Sequence, residues 1–472
     1  MAAEFPGELR TKLVQFGQGH LFDRWSELAP QSRQRLVEQL NDLDFAQIAS
    51  LVKERRAAGA AKENALIERS RRAVPPRSIV RLPQTADDRK TWEQARQAGE
   101  KLLQAGKVGA ILVAGGQGTR LGFDKPKGMF PIGALRHATL FQILVEQLRA
   151  RSRRAGRPIP YFIMTSDATH DDTVSFFADH DYFGLPSGDV YFFQQANMPA
   201  VDAESGKLLV GSDQTLSTSP DGHGGMLAAL AKAGLIDEMQ GRGIEFLHYH
   251  QVDNPTAIVC DPVFLGFHTQ RDCEMSVKVV AKRSAEERMG VAVDVDGKTQ
   301  IIEYSDLPAE VARKTDAAGS LLLWAGSTAI HVFSRRFLER LVDRADALPF
   351  HVAHKKVPYC DAEGKVMSPA AENAFKFERF IFDALPLAER TLVLETDRAR
   401  EFNPVKNATG DDSPDSARAA LARLYHEWLR SAGAKVDDSI PVEISPLFAL
   451  DAADVGAKIK PGSSFTEPTL LK

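Results

Sequence analysis

Between positions 110 and 128 the chain reads Ala110-Ile111-Leu112-Val113-Ala114-Gly115-Gly116-Gln117-Gly118-Thr119-Arg120-Leu121-Gly122-Phe123-Asp124-Lys125-Pro126-Lys127-Gly128. An apolar run passes into a glycine-rich turn that carries Arg120, Lys125 and Lys127 in close succession. Glycines let backbone N–H groups approach a ligand and form an anion-binding concavity, while arginine and lysine supply charge to phosphate oxygens. The chemistry of such a loop is phosphate binding. Two familiar phosphate loops do not fit its spacing. The dinucleotide pattern G-x-G-x-x-G fails because Gly116 and Gly118 are followed by Leu121, and the P-loop fails because Lys127 follows proline with no Gly-Lys-Ser/Thr. A turn built only for tight packing would need neither the arginine nor the Pro-Lys pair.

A loop of this kind needs a strand before it and a sheet around it. Short Val/Ile/Phe-rich runs at 109–114, 161–165, 190–194, 246–252 and 276–281 read as strands, separated by helical patterns and Gly-rich turns. Strands alternating with helices predict an α/β fold with a mostly parallel sheet, whose ligands bind beyond the carboxyl ends of the strands. Before it, residues 9–61 show apolar positions at helical spacing, such as Leu36, Val37, Leu40 and Leu43 after Pro30 and Ser32. An Arg/Pro-marked connector at 69–77 leads to a second helical pattern around Trp92, Ala95, Leu102 and Leu103. After the core, 416–432 reads as a helix, followed by a short mixed tail. The expected organisation is a helical region at 1–105, a large α/β core at 106–385 that carries the loop, and a small C-terminal α/β domain at 386–472.

The 472 residues carry 59 Lys+Arg against 63 Asp+Glu, a formal net charge of −4, with 43% hydrophobic and 26% charged residues. That is the composition of a soluble globular protein. A balanced charge supplies no global field for nucleic acid or an anionic membrane, so a polyanion must be held by a local cluster of cations. The arginines at 69–77 read as a solvated linker rather than an RNA site. Cys260, Cys273 and Cys360 are odd in number and lack metal-ligand spacing, which fits a reducing compartment and a cytoplasmic location. The opening Met1-Ala2-Ala3-Glu4 has no leader pattern, and the longest apolar stretch, 321–333, is interrupted by Gly326, Ser327 and His331.

Further blocks follow the loop in order. The earlier ones are Ile163-Met164-Thr165-Ser166, Phe193-Gln194-Gln195, Pro220-Asp221-Gly222-His223-Gly224-Gly225 and Val252-Asp253-Asn254. The later ones are Gly290-Val291, Ile302-Glu303-Tyr304-Ser305, His354-Lys355-Lys356-Val357-Pro358-Tyr359, Phe377-Glu378-Arg379-Phe380-Ile381-Phe382-Asp383 and Phe402-Asn403-Pro404-Val405-Lys406-Asn407-Ala408. Together, over roughly 108–408, they resemble the eukaryotic-type UDP-N-acetylglucosamine pyrophosphorylases of the wider uridylyltransferase superfamily. The resemblance implies a Rossmann-like nucleotidyltransferase core. It also implies a reaction in which an oxygen of a sugar 1-phosphate attacks the α-phosphorus of UTP and pyrophosphate departs. That nucleophile is already an anion, so catalysis should consist of cationic clamping and in-line alignment rather than base chemistry.

The resemblance also implies roles for individual residues. Arg120 and Lys127 neutralise the departing pyrophosphate, and Lys406 is a third cation at the reacting phosphates. Asp253, at the end of the 246–252 strand, holds Mg²⁺ between phosphate oxygens, although Asp-Asn is also a common turn opener. His248 and His250 share a strand face, but two strand histidines are usually packed or hydrogen-bonded, and this chemistry uses oxygen-ligated magnesium rather than zinc. Gly115, Gly116, Gln195 and Gly222 correspond to nucleotide-binding positions. His223, Gly290, Glu303, Ser327, Phe380 and Phe382 correspond to the sugar half of the pocket, though Phe380 and Phe382 alternate as core residues on a strand would. Three positions depart from the family pattern: His223, Ser327 and Ile330 each stand where an asparagine is usual. Losing amides in a pocket that reads hydroxyl and acetamido groups can shift sugar preference.

These residues lead to a Mg²⁺-dependent, reversible uridylyltransferase joining UTP to N-acetylglucosamine 1-phosphate. A glucose 1-phosphate or broader UDP-sugar enzyme is the alternative. A silent UDP-sugar-binding protein is the remote one, since it would keep the glycines and Gln195 without needing Arg120, Lys127 and Lys406. The expected partners are UTP and a sugar phosphate, with no nucleic acid and no membrane; the oligomeric state is left open.

Overall fold

The computed structural model describes residues 4–344 and 347–472, without the side chains of 58–63. Met1, Ala2 and Ala3, on which the reading of the N-terminus partly rests, lie outside them. The chain divides into a larger unit of residues 67–194, 226–347 and 382–472, and a smaller one of residues up to 66, 195–225 and 348–381.

The larger unit is built on one ten-stranded sheet. Its strands are β1 (Ile79–Val80), β2 (Val108–Val113), β3 (Tyr161–Thr165), β4 (Val190–Gln194), β5 (Phe246–Gln251), β6 (Met275–Ala281), β7 (Val291–Val295), β8 (Lys298–Ile302), β9 (Ala325–Ser334) and β10 (Thr391–Glu395). The order is β1-β10-β6-β9-β5-β2-β3-β4, with the β7-β8 hairpin attached through β9. Pairing is parallel except around β9 and within the hairpin. The five strands expected from sequence are all present. β2 and β3 are buried almost throughout, as continuous apolar runs covered on both faces should be.

Three helices are seated by local signals. Helix α4 (Ala86–Gln104) opens with a Thr85/Asp88 capping box, α5 (Leu140–Ala155) with the Thr139 hydroxyl, and α7 (Pro414–Ser431) with a Ser413/Ser416 capping box. Helix α4 lies directly on α6 (Pro262–Gln270). A Cβ on Gly99 would come within 1.9 Å of the Pro262 carbonyl oxygen, and one on Gly266 within 1.8 Å of that of Ala95. Only glycine permits this approach.

The smaller unit packs α1 (Gly7–Gln15), α2 (Pro30–Asn41) and α3 (Phe45–Arg71), the last up to Leu66, with an antiparallel sheet. That sheet is formed by Phe350–Lys355, Ala374–Arg379 and Val201–Asp202. Leu13, Leu36, Leu40, Val201 and Phe377 form its core.

The expected division at 105 and 385 is therefore corrected. α4 belongs to the larger unit because Gly99 and Gly266 let it lie on α6. The segment from 386 is not a separate body either. β10 inserts between β1 and β6, and Ala417, Leu421 and Leu429 of α7 share the main core with Leu140 and Leu144. Among the described residues no helix is long and apolar enough to cross a membrane.

Candidate active site

The glycine loop leaves the carboxyl end of β2 and closes on itself. Gly118 N–H donates to Lys125 O at 2.9 Å, Phe123 N–H to Gly118 O at 3.2 Å, and Lys127 N–H to Gly116 O at 3.0 Å. Gly118 has no room for a side chain, since a Cβ would lie 2.7 Å from the Phe123 carbonyl oxygen, whereas a Cβ on Gly116 would meet nothing within 4 Å. The backbone is thus braced on one side and open at Gly116. Ser166, itself buried, donates its hydroxyl to Gly115 O at 2.8 Å and ties the start of the loop to the end of β3. Arg120 and Lys125 are exposed and Lys127 half-buried. Among the described residues none of the three forms an ion pair, so their charge is available to a phosphate.

The same edge of the sheet carries Asp253 and Lys406. β5 lies beside β2 in parallel, and Val252 N–H donates to Val113 O at 3.0 Å, which sets Asp253 next to the root of the loop. Val405 N–H donates to the Asp253 carbonyl at 2.8 Å and brings the Lys406 loop to the same place. Asn254, buried beneath, donates to the Glu401 carbonyl at 2.7 Å and accepts from Asn403 N–H at 3.2 Å. Lys406 is half-buried with its ammonium 5.5 Å from the Phe402 ring centroid. Two residues about 150 positions apart are joined here by a short chain of hydrogen bonds.

Behind that junction lies an ionic cluster that sequence reasoning missed. Lys278, fully buried on β6, donates to Asp261 at 2.7 Å and also to Glu401. Burial alone would depress the ammonium, but the two carboxylates outweigh it and hold Lys278 above its ordinary value. Its backbone carbonyl accepts from Thr328, next to Ser327. A lysine within the apolar run Met275-Ser276-Val277-Lys278-Val279-Val280 was the available signal.

Three of the expected sugar residues come together at the β7-β8 hairpin. Ser327 N–H donates to Gly290 O at 2.8 Å, and a Cβ on Gly290 would lie 3.0 Å from a Glu303 carboxylate oxygen. Glu303 and Ser327 are half-buried. The register of β9 against β6 slips between Ser327 and His331, with Ala329 at φ +56°. That irregularity settles one expectation: Ile330 is 1% exposed and packs in the main core, so its side chain joins no polar pocket. Phe382 is also buried, in the 3₁₀ helix Ile381–Leu387. The strand-like alternation expected of Phe380 and Phe382 is not formed, because the strand ends at Arg379 and the chain turns into that helix.

The remaining site residues belong to the smaller unit, where they form a group of their own. Gln195 is buried and donates its amide to the Gly222 carbonyl at 3.4 Å. Gly222 has φ +84°, and a Cβ there would lie 2.4 Å from the Arg379 carbonyl oxygen, so glycine is required on both counts. His223 accepts from Ile381 N–H through Nδ1 at 3.2 Å, which places its own proton on Nε2. Burial, then the neighbouring His351, lowers its pKa to about 4. Its ring and that of His351 lie 5.4 and 4.6 Å from Phe380.

His248 and His250 lie inside the sheet. His250 Nε2 is 3.1 Å from the Tyr161 hydroxyl, and burial pushes its pKa down to about 3. No group of three or more His, Cys, Asp or Glu that could hold a metal occurs among the described residues.

Comparison with known proteins gives a consistent picture. The sequence profile of the family described as UTP–glucose-1-phosphate uridylyltransferase matches residues 53–433. A UDP-N-acetylhexosamine pyrophosphorylase-like protein 1 of Xenopus tropicalis is 38% identical, over 92% of this chain and 86% of that protein. The UDP-N-acetylglucosamine pyrophosphorylase of Saccharomyces cerevisiae is 35% identical over 92% and 93% respectively. Among solved structures, the uridine diphosphate N-acetylglucosamine pyrophosphorylase of Trypanosoma brucei, in complex with an inhibitor, superimposes with a TM-score of 0.82 at 26% identity, covering 97% of this chain and 95% of that one.

Proposed function

The chain belongs to the UTP–glucose-1-phosphate uridylyltransferase family, and on that premise we propose that it joins UTP to N-acetylglucosamine 1-phosphate. A phosphate oxygen of the sugar 1-phosphate bonds to the α-phosphorus of UTP. The bond from that phosphorus to the bridging oxygen of the β-phosphate breaks, and pyrophosphate leaves with the electron pair. The reverse step uses the same groups. The observation that carries this reading is the gathering of Arg120, Lys127 and Lys406, none of them ion-paired among the described residues, on the loops at one edge of the sheet. Each such cation stabilises developing charge by roughly 2–4 kcal/mol, by analogy with a fixed oxyanion donor.

In the larger unit the backbone at Gly115 and Gly116 takes nucleotide phosphates, and Gly290, Glu303, Ser327 and Phe382 serve the sugar. Gln195 and Gly222 in the smaller unit serve the base, and His223 and Phe380 the sugar. Asp253 makes no hydrogen bond or ion pair through its carboxylate among the described residues. A single half-buried carboxylate fits Mg²⁺, which is commonly held by one or two carboxylates together with substrate phosphates, so Asp253 would hold it. When bound, magnesium offsets phosphate charge. The N-acetyl assignment is supported by relatives named for N-acetylated sugars that match over nearly the whole chain. A cytoplasmic setting is supported by three cysteines that are free and buried.

Pyrophosphate release from UTP with Mg²⁺, compared across N-acetylglucosamine, N-acetylgalactosamine, glucose and galactose 1-phosphates, tests the proposal. Turnover fastest with N-acetylglucosamine 1-phosphate is expected. A strong preference for glucose 1-phosphate would reassign the sugar, and no turnover with any of the four would overturn the activity.

A further inference from the structure

We propose that a cavity at the far end of α5 is a second anion site, which binds a nucleoside diphosphate through Arg149, Arg153 and Arg157. The site stands apart from the proposed activity. α5 ends at Ala155, just before β3 begins at Tyr161, and the facing wall, Gly184 to Asp189, leads into β4 at Val190. β3 and β4 run parallel to β2, so the cavity lies at their amino ends, whereas the glycine loop leaves a carboxyl end. The five residues of β3 put about 16 Å between the two edges.

Five arginines fall between 149 and 157. Arg151 is buried, and Arg154 is paired with Asp451 at 3.3 Å and with Asp454. The other three, spaced by four, line one cavity of about 380 Å³, a volume in the range of small-molecule sites. None of them forms an ion pair among the described residues, and Arg153 and Arg157 make no side-chain hydrogen bond there either. The one acid on the wall among the described residues, Asp189, is paired with Arg242 at 2.6 Å. Like charges at this spacing repel one another and weaken the helix end. The helix dipole favours cations here, but the Ser152 and Arg153 carbonyls already accept from Arg157 and Gly156 N–H, both at 3.2 Å. A bound diphosphate supplies the missing counter-charge. Pro158, Ile159, Leu185 and Pro186 add an apolar wall beside the arginines, which suits a ligand with a ring rather than inorganic phosphate.

The facing wall holds Arg149 ready. Asp181, Tyr182 and Phe183 in succession have φ of +47°, +49° and +52°, a region that L side chains rarely adopt. Such backbone persists only where surrounding contacts over-determine it, and it clusters at ligand clamps. Here Phe183 packs edge-on against Phe177 with ring centroids 5.5 Å apart. The turn then brings Gly184, at φ +77°, against the Arg149 guanidinium, where a Cβ would lie 2.5 Å from Cζ. Arg149 also donates Nη1 to the Phe183 carbonyl at 3.1 Å. One guanidinium is thus fixed before any ligand arrives, and the two exposed ones close on it.

Calorimetric titration of the full chain with ADP tests the site, since ADP carries linked phosphates and a ring, and its purine separates it from UTP. The wild type is compared with Arg153→Ser/Arg157→Ser and with Lys127→Ala/Lys406→Ala, with melting temperatures alongside. The wild type should bind one ADP, more weakly as salt is raised. The arginine variant should bind about tenfold more weakly or worse, because two charge-assisted contacts are gone, and should melt with the wild type because both residues are exposed. The lysine variant should bind as the wild type does. An affinity unchanged in the arginine variant, or lost in the lysine variant alone, assigns ADP elsewhere and overturns the second site. No ADP binding to the wild type overturns it as well. The titration needs no turnover, so this inference and the proposed activity fail separately.

Discussion

At the scale of single residues, the proposed chemistry depends on charges that form no ion pair among the described residues. Arg120, Lys127 and Lys406 sit on loops whose backbone bonds hold them without help from the ammonium or guanidinium groups. Removing one of these charges should therefore change rate far more than stability. Lys127→Ala and Lys406→Ala are each expected to lower turnover by roughly 10²–10³-fold, the loss typical of one transition-state donor. Melting temperatures should move by no more than a few degrees. Pyrophosphate release and thermal melts on the same samples decide it, and wild-type rates would remove that residue from the mechanism. The cations of the glycine loop were legible because loop, strand and charges are contiguous in the chain. Ile330 was not, because its direction is decided by a bulge on β9 whose Ala329 takes φ +56°.

At the scale of elements, two junctions bear on the site. The first is Lys278 with Asp261 and Glu401, which underlies the Asn254 and Val405 bonds that bring Asp253 to the Lys406 loop. Lys278→Met leaves two buried carboxylates without their cation, a loss of about 3–5 kcal/mol for a buried pair broken on one side. Denaturant unfolding should show that loss, and kcat should fall in whatever fraction still folds, with partial recovery in Lys278→Arg. Equal stability of Lys278→Met and wild type would contradict it. The second junction is α4 on α6. Gly266→Ala adds a methyl group where the Ala95 carbonyl oxygen stands 1.8 Å away. Because overpacking typically costs about 1–3 kcal/mol, the midpoint in urea should fall, and an unchanged midpoint would show that the helices can part freely. The strands were readable from β-branched and aromatic runs. The glycine contact was not, since nothing local distinguishes Gly99 or Gly266 from any helical glycine.

At the scale of the whole molecule, buried histidines set the acid limit. In the larger unit burial pushes His250 and His268 down to about 3, and His248 shifts the same way. The unfolded chain takes up these protons below its ordinary value of 6.5, whereas the folded chain refuses them until far lower pH. Stability is therefore complete above about pH 6.5 and is lost as pH falls. His250 and His268 alone give a slope of about 2.7 kcal/mol per pH unit. In the smaller unit two shifts oppose each other. His223, lowered to about 4, loses stability as pH falls, while Asp221, raised to about 7, regains it as the folded carboxyl takes up a proton that the unfolded one refuses until 3.8. Between about pH 6.5 and 4 they nearly cancel. Hydrogen exchange at pH 7, 6 and 5 should show protection falling in β2, β3 and β5 more steeply than in α1 and α2. Parallel decline in both units would refute this assignment.

Features that run continuously along the chain were legible in it: an apolar strand opening into glycines and cations, the alternation of strands and helices behind an α/β core, and motif blocks in a recognisable order. Those features depend on local spacing, which a linear text records. Three-dimensional packing set how the chain is partitioned, since the smaller unit is assembled from three separate stretches and the sheet takes in a strand near residue 391. It also decided that Asp253 meets the Lys406 loop and that Lys278 is fully buried beneath that junction. The physical reason is the same in each case. Sheet order and close packing bring together residues as far apart in the chain as Ile79 and Val393, and a hydrogen bond between them leaves no periodicity in either segment.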